Sequence, residues 1–303
     1  MKIYKNFNIK KTFKNSALAI GNFDGFHLGH QKVIKTGKLI SRKKKIKFGL
    51  LFFQPLPVMF FNKKIKNHRI HSLSQKIDTS KKLGIDFIII KKFDRAFSKI
   101  SAENFIENIL FKKLNIKLIF ISQNFRFGKN RKGNIKLLKK MEKIFKYKTI
   151  TIIPLNKNRT NVSSTLIRKN IKQGKISTVN NMLGRPWTIE GKVKRGEKKG
   201  RQIGFPTCNL SLANYMVPKL GVYAAEIIID RRIKKKGIVN IGYKPTFRNK
   251  KLTLEAHIFD FKKNLYDKRI SVMLHKFIRN EKKFKNIFEL KEQIKKDIKK
   301  VKI

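Results

Sequence analysis

Two histidines, His27 and His30, lie three residues apart in the segment GNFDGFHLGH, which spans residues 21–30. The chain has six histidines in all, so a third of them fall within four consecutive positions. An imidazole N–H donates a hydrogen bond to a phosphate oxygen, and such donors stabilise the charge that develops during phosphoryl transfer. The pair therefore indicates a site for a phosphorylated substrate.

The glycines around the two histidines indicate a turn between a strand and a helix. An apolar run, Ala17–Ile20, ends at Gly21, and a helical pattern covers about residues 28–42. N–H groups at a helix start and the helix dipole both favour anions, and glycine lets the backbone approach a phosphate closely. The segment lacks the Walker pattern Gly-x-x-x-x-Gly-Lys-Ser/Thr, which argues against a P-loop enzyme.

Two other interpretations of the histidine pair stay open from spacing alone. His-x-x-His is also a fragment of some metal sites, but no cysteine lies nearby and no third ligand is in register. The pair is also compatible with two ordinary surface histidines.

A second group of residues with chemical potential lies in RGEKKGRQIGFPTCNL, residues 195–210. Gly196, Gly200 and Gly204 recur at steps of four, which suggests close backbone approach to an anion. Thr207 and Asn209 offer a hydroxyl and an amide oxygen, and Mg²⁺ prefers oxygen ligands. A tight connection at a barrel corner, where glycines are common, explains the segment equally well.

The elements that must position the histidines alternate between strands and helices. Strand-like apolar runs are SALAIG, KFGLLFF, IDFIII, LIFIS and KTITIIPL. Helical stretches cover about residues 28–42, 73–83, 101–113 and 133–145, with Ser101 as an N-cap. The alternation predicts an α/β, Rossmann-like domain with a parallel sheet covered on both faces.

The pattern changes near residue 184, where strands follow strands. The runs are WTIEGKVKR, GVYAAEIIID, KGIVNIGY, LTLEAHIFDF and ISVMLHKFI, and an amphipathic helix closes the chain. This order predicts an antiparallel β-barrel with a terminal helix. We therefore expect two domains, residues 1–182 and 183–303, and solvated loops at the lysine runs 43–47 and 234–236.

The composition is strongly basic, with 75 Lys and Arg against 18 Asp and Glu and a formal net charge of +57. Such a charge suggests a nucleic acid or an anionic surface. However, the excess is spread along the whole chain, and Lys, Ile, Asn and Phe all have A/T-rich codons, so a genomic bias is the other interpretation. One cysteine, no signal-peptide pattern and no long apolar run lead us to expect a cytoplasmic protein without a membrane span.

Several motifs of the first half together resemble a known family. GNFDGFHLGH looks like the His-x-Gly-His signature of nucleotidylyltransferases. FFQPLP (52–57), LGIDFIIIKKFDRAFSKISAENFI (83–106), NFRFGKNRKGN (124–134) and SSTLIR (163–168) follow in order. The set is similar to the adenylyltransferase half of bacterial bifunctional riboflavin kinase/FAD synthetases.

The resemblance implies roles for individual residues of the first half. His27 and His30 would contact the ATP phosphates, within a loop shaped by Gly21, Asn22 and Asp24. Asn124 would lie near the nucleotide, with an amide that both donates and accepts.

The motif SSTLIR is compatible with two interpretations. The resemblance implies that Ser164, Thr165 and Arg168 close over the triphosphate, and a guanidinium fork suits phosphate oxygens. The serines and the threonine are equally suited to cap the helix that follows. Both roles are compatible.

The second half resembles riboflavin kinase. GRQIGFPTCNL is similar to the Pro-Thr-Ala-Asn loop of that family, with GVY, NIGYKPTF and LEAHIFDF in family order. The resemblance implies that Thr207 and Asn209 bind Mg²⁺ and the nucleotide, and that Glu255 is the catalytic base. On pattern alone, Glu255 is one alternating residue of a strand and an ordinary solvent-facing glutamate is the simpler interpretation.

The resemblance covers about residues 15–300 and implies a bifunctional enzyme. It would make FMN from riboflavin and FAD from FMN, with ATP as co-substrate and Mg²⁺ as cofactor. The family pattern is broken at Ser122, Gln54 and Cys208, which stand where Gly, an acidic residue and Ala are usual.

We expect small-molecule partners, no membrane and no specific nucleic acid. The rival hypotheses are that the chain chiefly binds RNA or DNA in a salt-dependent way, and that one half has decayed.

Overall fold

The computed structural model describes residues 1–153, 156–157, 160–196, 199–245, 250–261 and 263–301. The chain divides into two compact units. The first comprises Met1–Lys66 and Leu73–Ser163, and the second comprises Asn67–Ser72 and Ser164–Ile303.

The first unit is built on a parallel sheet. Its six strands, as far as the structure describes this unit, are β1 (Lys2–Tyr4), β2 (Ala17–Ile20), β3 (Phe48–Gln54), β4 (Phe87–Lys92), β5 (Leu118–Ser122) and β6 (Lys148–Ile152). Their order is β1-β4-β3-β2-β5-β6, and every pair is parallel. β2 lies at the centre with all four residues buried, as a strand covered on both faces must. Asn156–Lys157 (β7) pairs with Thr160–Asn161 (β8).

Helices lie between these strands, and two apolar clusters form around the sheet. The helices are α1 (Leu28–Lys43), α2 (Pro57–Phe61), α3 (Leu73–Lys82), α4 (Arg95–Ser98), α5 (Ala102–Asn104), α6 (Ile135–Lys140) and α7 (Glu142–Phe145). Ser101 caps α5 as predicted, through a bond from Asn104 N–H, and the helix continues as a π-helix over Phe105–Lys113. The single helix predicted at 133–145 is wrong, because it breaks into α6 and α7 at Met141.

The second unit is a curled antiparallel sheet. Its described strands are β9 (Trp187–Lys192), β10 (Thr207–Ser211), β11 (Gly221–Ile229), β12 (Ile233–Pro245), β13 (Lys250–Ile258) and β14 (Arg269–Arg279). The order is β10-β13-β12-β11-β14-β9. The sheet curls until its two edges approach, where the N–H of Lys194 donates to the carbonyl of Asn209 at 2.9 Å. The predicted combination of a parallel α/β domain and an antiparallel barrel with a terminal helix is confirmed, and the barrel is a curled half-barrel.

Helices α8 (Ser164–Lys172), α9 (Ile176–Leu183), α10 (Lys199–Gln202) and α11 (Ile287–Lys299) belong to the second unit. α11 is the predicted terminal helix. The buried residue of this helix is Asp297, whose carboxylate accepts a hydrogen bond from Nε of Arg279 at 2.8 Å. Ile287 and Phe288, at the start of the helix, are exposed. A buried ion pair therefore holds this helix to β14.

The compact units divide the chain earlier than the expected domain boundary at 182/183. α9 packs on β14 within the second unit, where Asn180 Nδ2 donates to the carbonyl of Leu274 at 2.9 Å. Segment Asn67–Ser72 also belongs there, because the indole Nε1 of Trp187 donates to the carbonyl of Ile70 at 3.0 Å. Across the described residues, no helix has the length and apolar character needed to cross a membrane.

Candidate active sites

The histidine-containing loop lies at a point where the sheet of the first unit changes direction. From β2 the chain proceeds through β3 and β4 on one side, then crosses to β5 and β6 on the other. In such sheets the loops after neighbouring strands diverge, and ligands bind in the crevice outside the carboxyl ends. Residues 21–27 follow β2 and Asn124 follows β5, so both predicted elements lie at this edge.

His27 and His30 form a stacked pair at the start of α1. Their ring centroids are 3.7 Å apart with an interplanar angle of 23°. His27 is the N-cap of α1, and its Nδ1 accepts the backbone N–H of His30 at 3.4 Å. Since Nδ1 is an acceptor here, the neutral tautomer of this ring has its proton on Nε2, which makes Nε2 a donor. His27 is 6% exposed and His30 is half-buried.

The loop between β2 and α1 is held by buried groups. Phe23, Gly25 and Phe26 have φ values of 44°, 87° and 42°, in the left-handed region that side chains other than glycine rarely adopt. Both phenylalanine rings are buried, which secures this backbone. Asp24 is only 1% exposed, so it shapes the loop from inside, whereas Asn22 is exposed and Gly21 is half-buried.

A groove of about 500 Å³ opens beside Asn124. It is lined by Gln123, Asn124, Phe125, Arg126, Arg131, Asn134, Ile135 and Lys136. Its volume falls in the range of small-molecule sites, and three cationic side chains line it. Sequence reasoning singled out Asn124 and missed these cations, although the string NFRFGKNRKGN contains Arg126 and Arg131.

An aromatic cluster was also missed. Helix α2 follows β3 at the carboxyl edge of the sheet, and Phe60 and Phe61 pack against Phe93 with ring centroids 5.3 Å and 5.7 Å away. Phe61 is nevertheless 69% exposed. An exposed aromatic ring held by two others provides a surface on which a planar ligand can stack.

The motif SSTLIR spans the division between the two units. α8 begins at Ser164, so Ser163 directly precedes the helix, and Thr165 is exposed. Arg168 belongs to the second unit, where its Nε donates to the carbonyl of His68 at 2.9 Å. Part of the guanidinium predicted to bind phosphate therefore anchors the segment Asn67–Ser72.

Predicted residues of the second half lie side by side on neighbouring strands. Asn209 on β10 is directly opposite Glu255 on β13, and Glu255 is directly opposite Asn240 on β12. Thr207 is opposite His257 in the next row. Directly opposed side chains project from the same face, and their Cβ atoms are about 5 Å apart. The intervening residues Cys208, Leu254 and Ala256 are buried on the other face.

Two of the three predicted glycines, Gly196 and Gly200, lie against these side chains. A Cβ on Gly196 would coincide with Nδ2 of Asn209, and one on Gly200 would be 3.3 Å from Oγ1 of Thr207. Gly204 has φ of 88° with open space around it. The glycine at 196 thus makes room for Asn209, and the one at 200 makes room for the Phe205 carbonyl, 2.5 Å from that Cβ position, and for Thr207. Thr207 and Asn209 themselves belong to strand β10 rather than to the loop that we expected.

Two further groups join this face without having been predicted. Nδ1 of His257 lies 2.8 Å from the carbonyl of Pro206, and the ring of Phe205 packs edge-on at 5.5 Å. Oε1 of Glu281 occupies the place of a Cβ on Gly242, which pairs with Thr253 two residues from Glu255. Partial burial raises the pKa of Glu281. The motif NIGYKPTF extends to residues 246–247, which lie outside the described residues.

The oxygen donors of this face fit a hard cation. Among the described residues no three His, Cys, Asp or Glu side chains cluster as a metal site would require. A hydroxyl from Thr207, an amide oxygen from Asn209 and phosphate oxygens are the ligand types that Mg²⁺ accepts, usually together with water.

Comparison with protein families gives two matches that between them cover most of the chain. The model described as FAD synthetase matches residues 9–166, and the model described as riboflavin kinase matches residues 183–303.

Individual relatives match nearly end to end. The chain is 46% identical over 298 residues to the bifunctional riboflavin kinase/FMN adenylyltransferase of Buchnera aphidicola subsp. Schizaphis graminum, covering 97% of this chain and 96% of the relative. It is 34% identical over 280 residues to the protein of that name from Escherichia coli K12, and the match covers 92% of this chain and 90% of the relative.

A solved structure shares the architecture. A crystal structure titled as a macrolide-efflux protein from Streptococcus pneumoniae aligns with a TM-score of 0.85 at 27% identity, covering 98% of this chain and 97% of that chain.

Proposed function

The chain belongs to the bifunctional riboflavin kinase/FMN adenylyltransferase family, and from that premise we propose how its residues divide the two reactions. The enzyme phosphorylates riboflavin to FMN and then adenylylates FMN to FAD. We assign adenylyl transfer to residues 1–182 and phosphorylation to residues 183–303, in keeping with the ranges of the two family models.

In adenylyl transfer, a phosphate oxygen of FMN attacks the α-phosphorus of ATP and pyrophosphate leaves. The chain supplies no covalent nucleophile, because the attacking oxygen belongs to the substrate. We assign His27 and His30 to the phosphates of ATP, with Nε2 of His27 as a hydrogen-bond donor. Charge accumulates on these phosphate oxygens in the transition state, so fixed donors there lower the barrier.

The groove beside Asn124 and the exposed ring of Phe61 complete this proposal. Arg126, Arg131 and Lys136 give the groove positive charge, which suits the phosphates of FMN or of the departing pyrophosphate. The ring of Phe61 offers a stacking surface to the isoalloxazine. Ser164, Thr165 and Arg168 are assigned to the triphosphate by the family motif.

In riboflavin phosphorylation, Glu255 takes the proton of the ribityl 5′-hydroxyl as that oxygen attacks the γ-phosphorus of ATP. The bond to the bridging oxygen breaks and ADP leaves. The opposition of Glu255 and Asn209 across the strand pair is the observation that carries this assignment, since it brings the base to the proposed nucleotide ligand. Gly196, Gly200 and Gly204 shape the loop that covers them.

Mg²⁺ would be held by Thr207 and Asn209 together with ATP oxygens, and it would neutralise charge on the phosphates. The protein side chains orient the two reactants around it. Thr207 and Asn209 are fixed by the β10–β13 ladder, and the glycine loop packs on them.

The test is a time course with riboflavin, ATP and Mg²⁺ in which FMN and FAD are separated by chromatography. FMN should appear first and FAD should follow. Supplying FMN directly should give FAD and pyrophosphate without riboflavin. Absence of either product from the purified, folded protein would refute the corresponding half of the assignment.

A further inference from the structure

A buried lysine contacts the loop that carries the histidines. Among the lysines and arginines that the structure describes, Lys76 alone is buried, at 2% exposure. It lies on α3, and its Nζ donates to the backbone carbonyl of Asn22 at 2.7 Å. The sequence has 74 other lysines and arginines. The burial of Lys76 therefore needs an explanation specific to this position.

Two groups in the surroundings of the ammonium favour its charged form. Nζ lies 5.2 Å from the centroid of the Phe52 ring, which is itself fully buried on β3. A cation over an aromatic face and a hydrogen bond to a carbonyl both favour the charged form. The bond to the Asn22 carbonyl also ties helix α3 to the loop.

The bonded carbonyl lies at the point where the loop leaves its strand. Asn22 directly precedes Phe23, the first residue of the loop with a positive φ. A trans peptide is planar, so the carbonyl of Asn22 and the N–H of Phe23 point in opposite directions. Holding the carbonyl towards α3 therefore turns the next N–H away from α3. Lys76 fixes the orientation of a peptide two residues after β2 and five before His27.

We propose that Lys76 is a positioning residue for adenylyl transfer, which holds the phosphate loop in its binding conformation through the Asn22 carbonyl. The inference rests on the assignment of residues 21–30 to the ATP phosphates. Lys76 contacts the loop and not the reacting atoms. Its loss should relax the loop, reduce adenylyl transfer and leave riboflavin phosphorylation unchanged.

The test compares Lys76→Met with a matched control, Lys38→Met, in the full-length enzyme. Lys38 also donates Nζ to a backbone carbonyl of the first unit, that of Leu83, but away from the loop. We expect Lys76→Met to lower kcat/KM for FAD formation from FMN and ATP by about tenfold or more, mostly through kcat. The Tm of each variant is measured as well, and both are assayed at a temperature at which they are fully folded. Lys38→Met should leave FAD formation within about twofold.

Selective loss of FAD formation in a folded variant, with riboflavin phosphorylation retained, is what separates positioning from a merely structural role. Equal loss of both activities together with a fall in Tm would overturn the proposal, as would normal FAD formation by folded Lys76→Met. If Lys76→Met does not fold, Lys76→Gln keeps a polar side chain but is too short to replace the bond to the Asn22 carbonyl, and a normal kcat in that variant would overturn the proposal. His27→Ala is assayed in parallel: if it too forms FAD normally, the assignment of the loop itself is wrong, whereas a silent Lys76→Met beside an inactive His27→Ala refutes this inference alone.

Discussion

The amide nitrogen of Asn209 occupies the space that a Cβ on Gly196 would take. Asn209 is in turn directly opposite Glu255 on the neighbouring strand. A glycine in a basic loop is thus tied through one side chain to the proposed catalytic base. The requirement for glycine at 196 is steric and concerns the position of Asn209.

Gly196→Ala should therefore impair the kinase selectively. The new methyl group must displace the Asn209 amide, and we expect kcat/KM for riboflavin phosphorylation to fall by about tenfold or more, or ~1.4 kcal/mol of transition-state stabilisation. FAD formation from added FMN should be unaffected. Steady-state assays of the two half-reactions measure both values.

Gly204→Ala is the comparison for that variant. Nothing lies within 4 Å of its Cβ position, but its φ is 88°. Alanine there should cost about 1–2 kcal/mol of local stability without displacing Asn209. If both alanines reduced the kinase equally, the steric account of Gly196 would be wrong.

Cys208 should be unreactive in the native protein. Burial raises the pKa of its thiol from the ordinary value of 9.0 to about 12, and the thiolate is the reactive form. Titration with a thiol reagent at pH 8 should label the enzyme only after denaturation. A raised folded pKa also means that the thiol stabilises the fold below about pH 9 and that this contribution is lost as the pH rises towards 12. Rapid native labelling would contradict the burial.

Asp297→Ala should loosen the terminal helix. Asp297 is 1% exposed and accepts both a 2.8 Å bond and a 3.1 Å bond from Nε of Arg279. Removing one member of a buried pair leaves the other uncompensated, and we expect a loss of about 3 kcal/mol in the free energy of unfolding. Urea denaturation followed by circular dichroism provides the measurement. Glu292→Ala, which removes a solvent-accessible 2.8 Å pair with Lys295 on the same helix, is the control and should change stability by less than about 0.5 kcal/mol.

Gly29→Ala should impair adenylyl transfer, the reaction assigned to the first half of the chain. A Cβ there would lie 3.1 Å from Cε1 and Nδ1 of His27, closer than side chains normally approach. We expect the imidazole to shift and FAD formation to fall by about tenfold, with riboflavin phosphorylation serving as the internal control. Normal adenylyl transfer by this variant would show that the position of His27 is not critical.

Secondary structure could be predicted from the sequence where a residue pattern reflects burial. β2 reads as a continuous apolar run because helices cover both faces of the sheet, and its four residues are all buried. The lysine run 234–236 misled us for the converse reason. It lies in β12, and a strand with exposed side chains tolerates lysines, one of which pairs with Glu226 at 2.7 Å. Local composition does not reveal such a strand.

Only those residues of the candidate sites that stand in a local motif could be singled out from the sequence. His27, His30, Thr207, Asn209 and Glu255 stand in motifs, so sequence alone singled them out. Lys76 stands in no pattern that distinguishes it from 74 other basic residues, and only its burial does so. Contacts such as that of Arg168 with the His68 carbonyl join residues 100 positions apart, and no local pattern encodes them.

The central claim is that one chain carries two independent sites, one for each phosphorus chemistry. The most direct measurement is a reciprocal assay of His27→Ala and Glu255→Gln, each supplied with riboflavin or with FMN as the flavin substrate. His27→Ala should accumulate FMN from riboflavin and form almost no FAD. Glu255→Gln should form no FMN from riboflavin yet convert added FMN to FAD at the parent rate. Loss of both activities in either folded variant would contradict the division of the two reactions between the two sites.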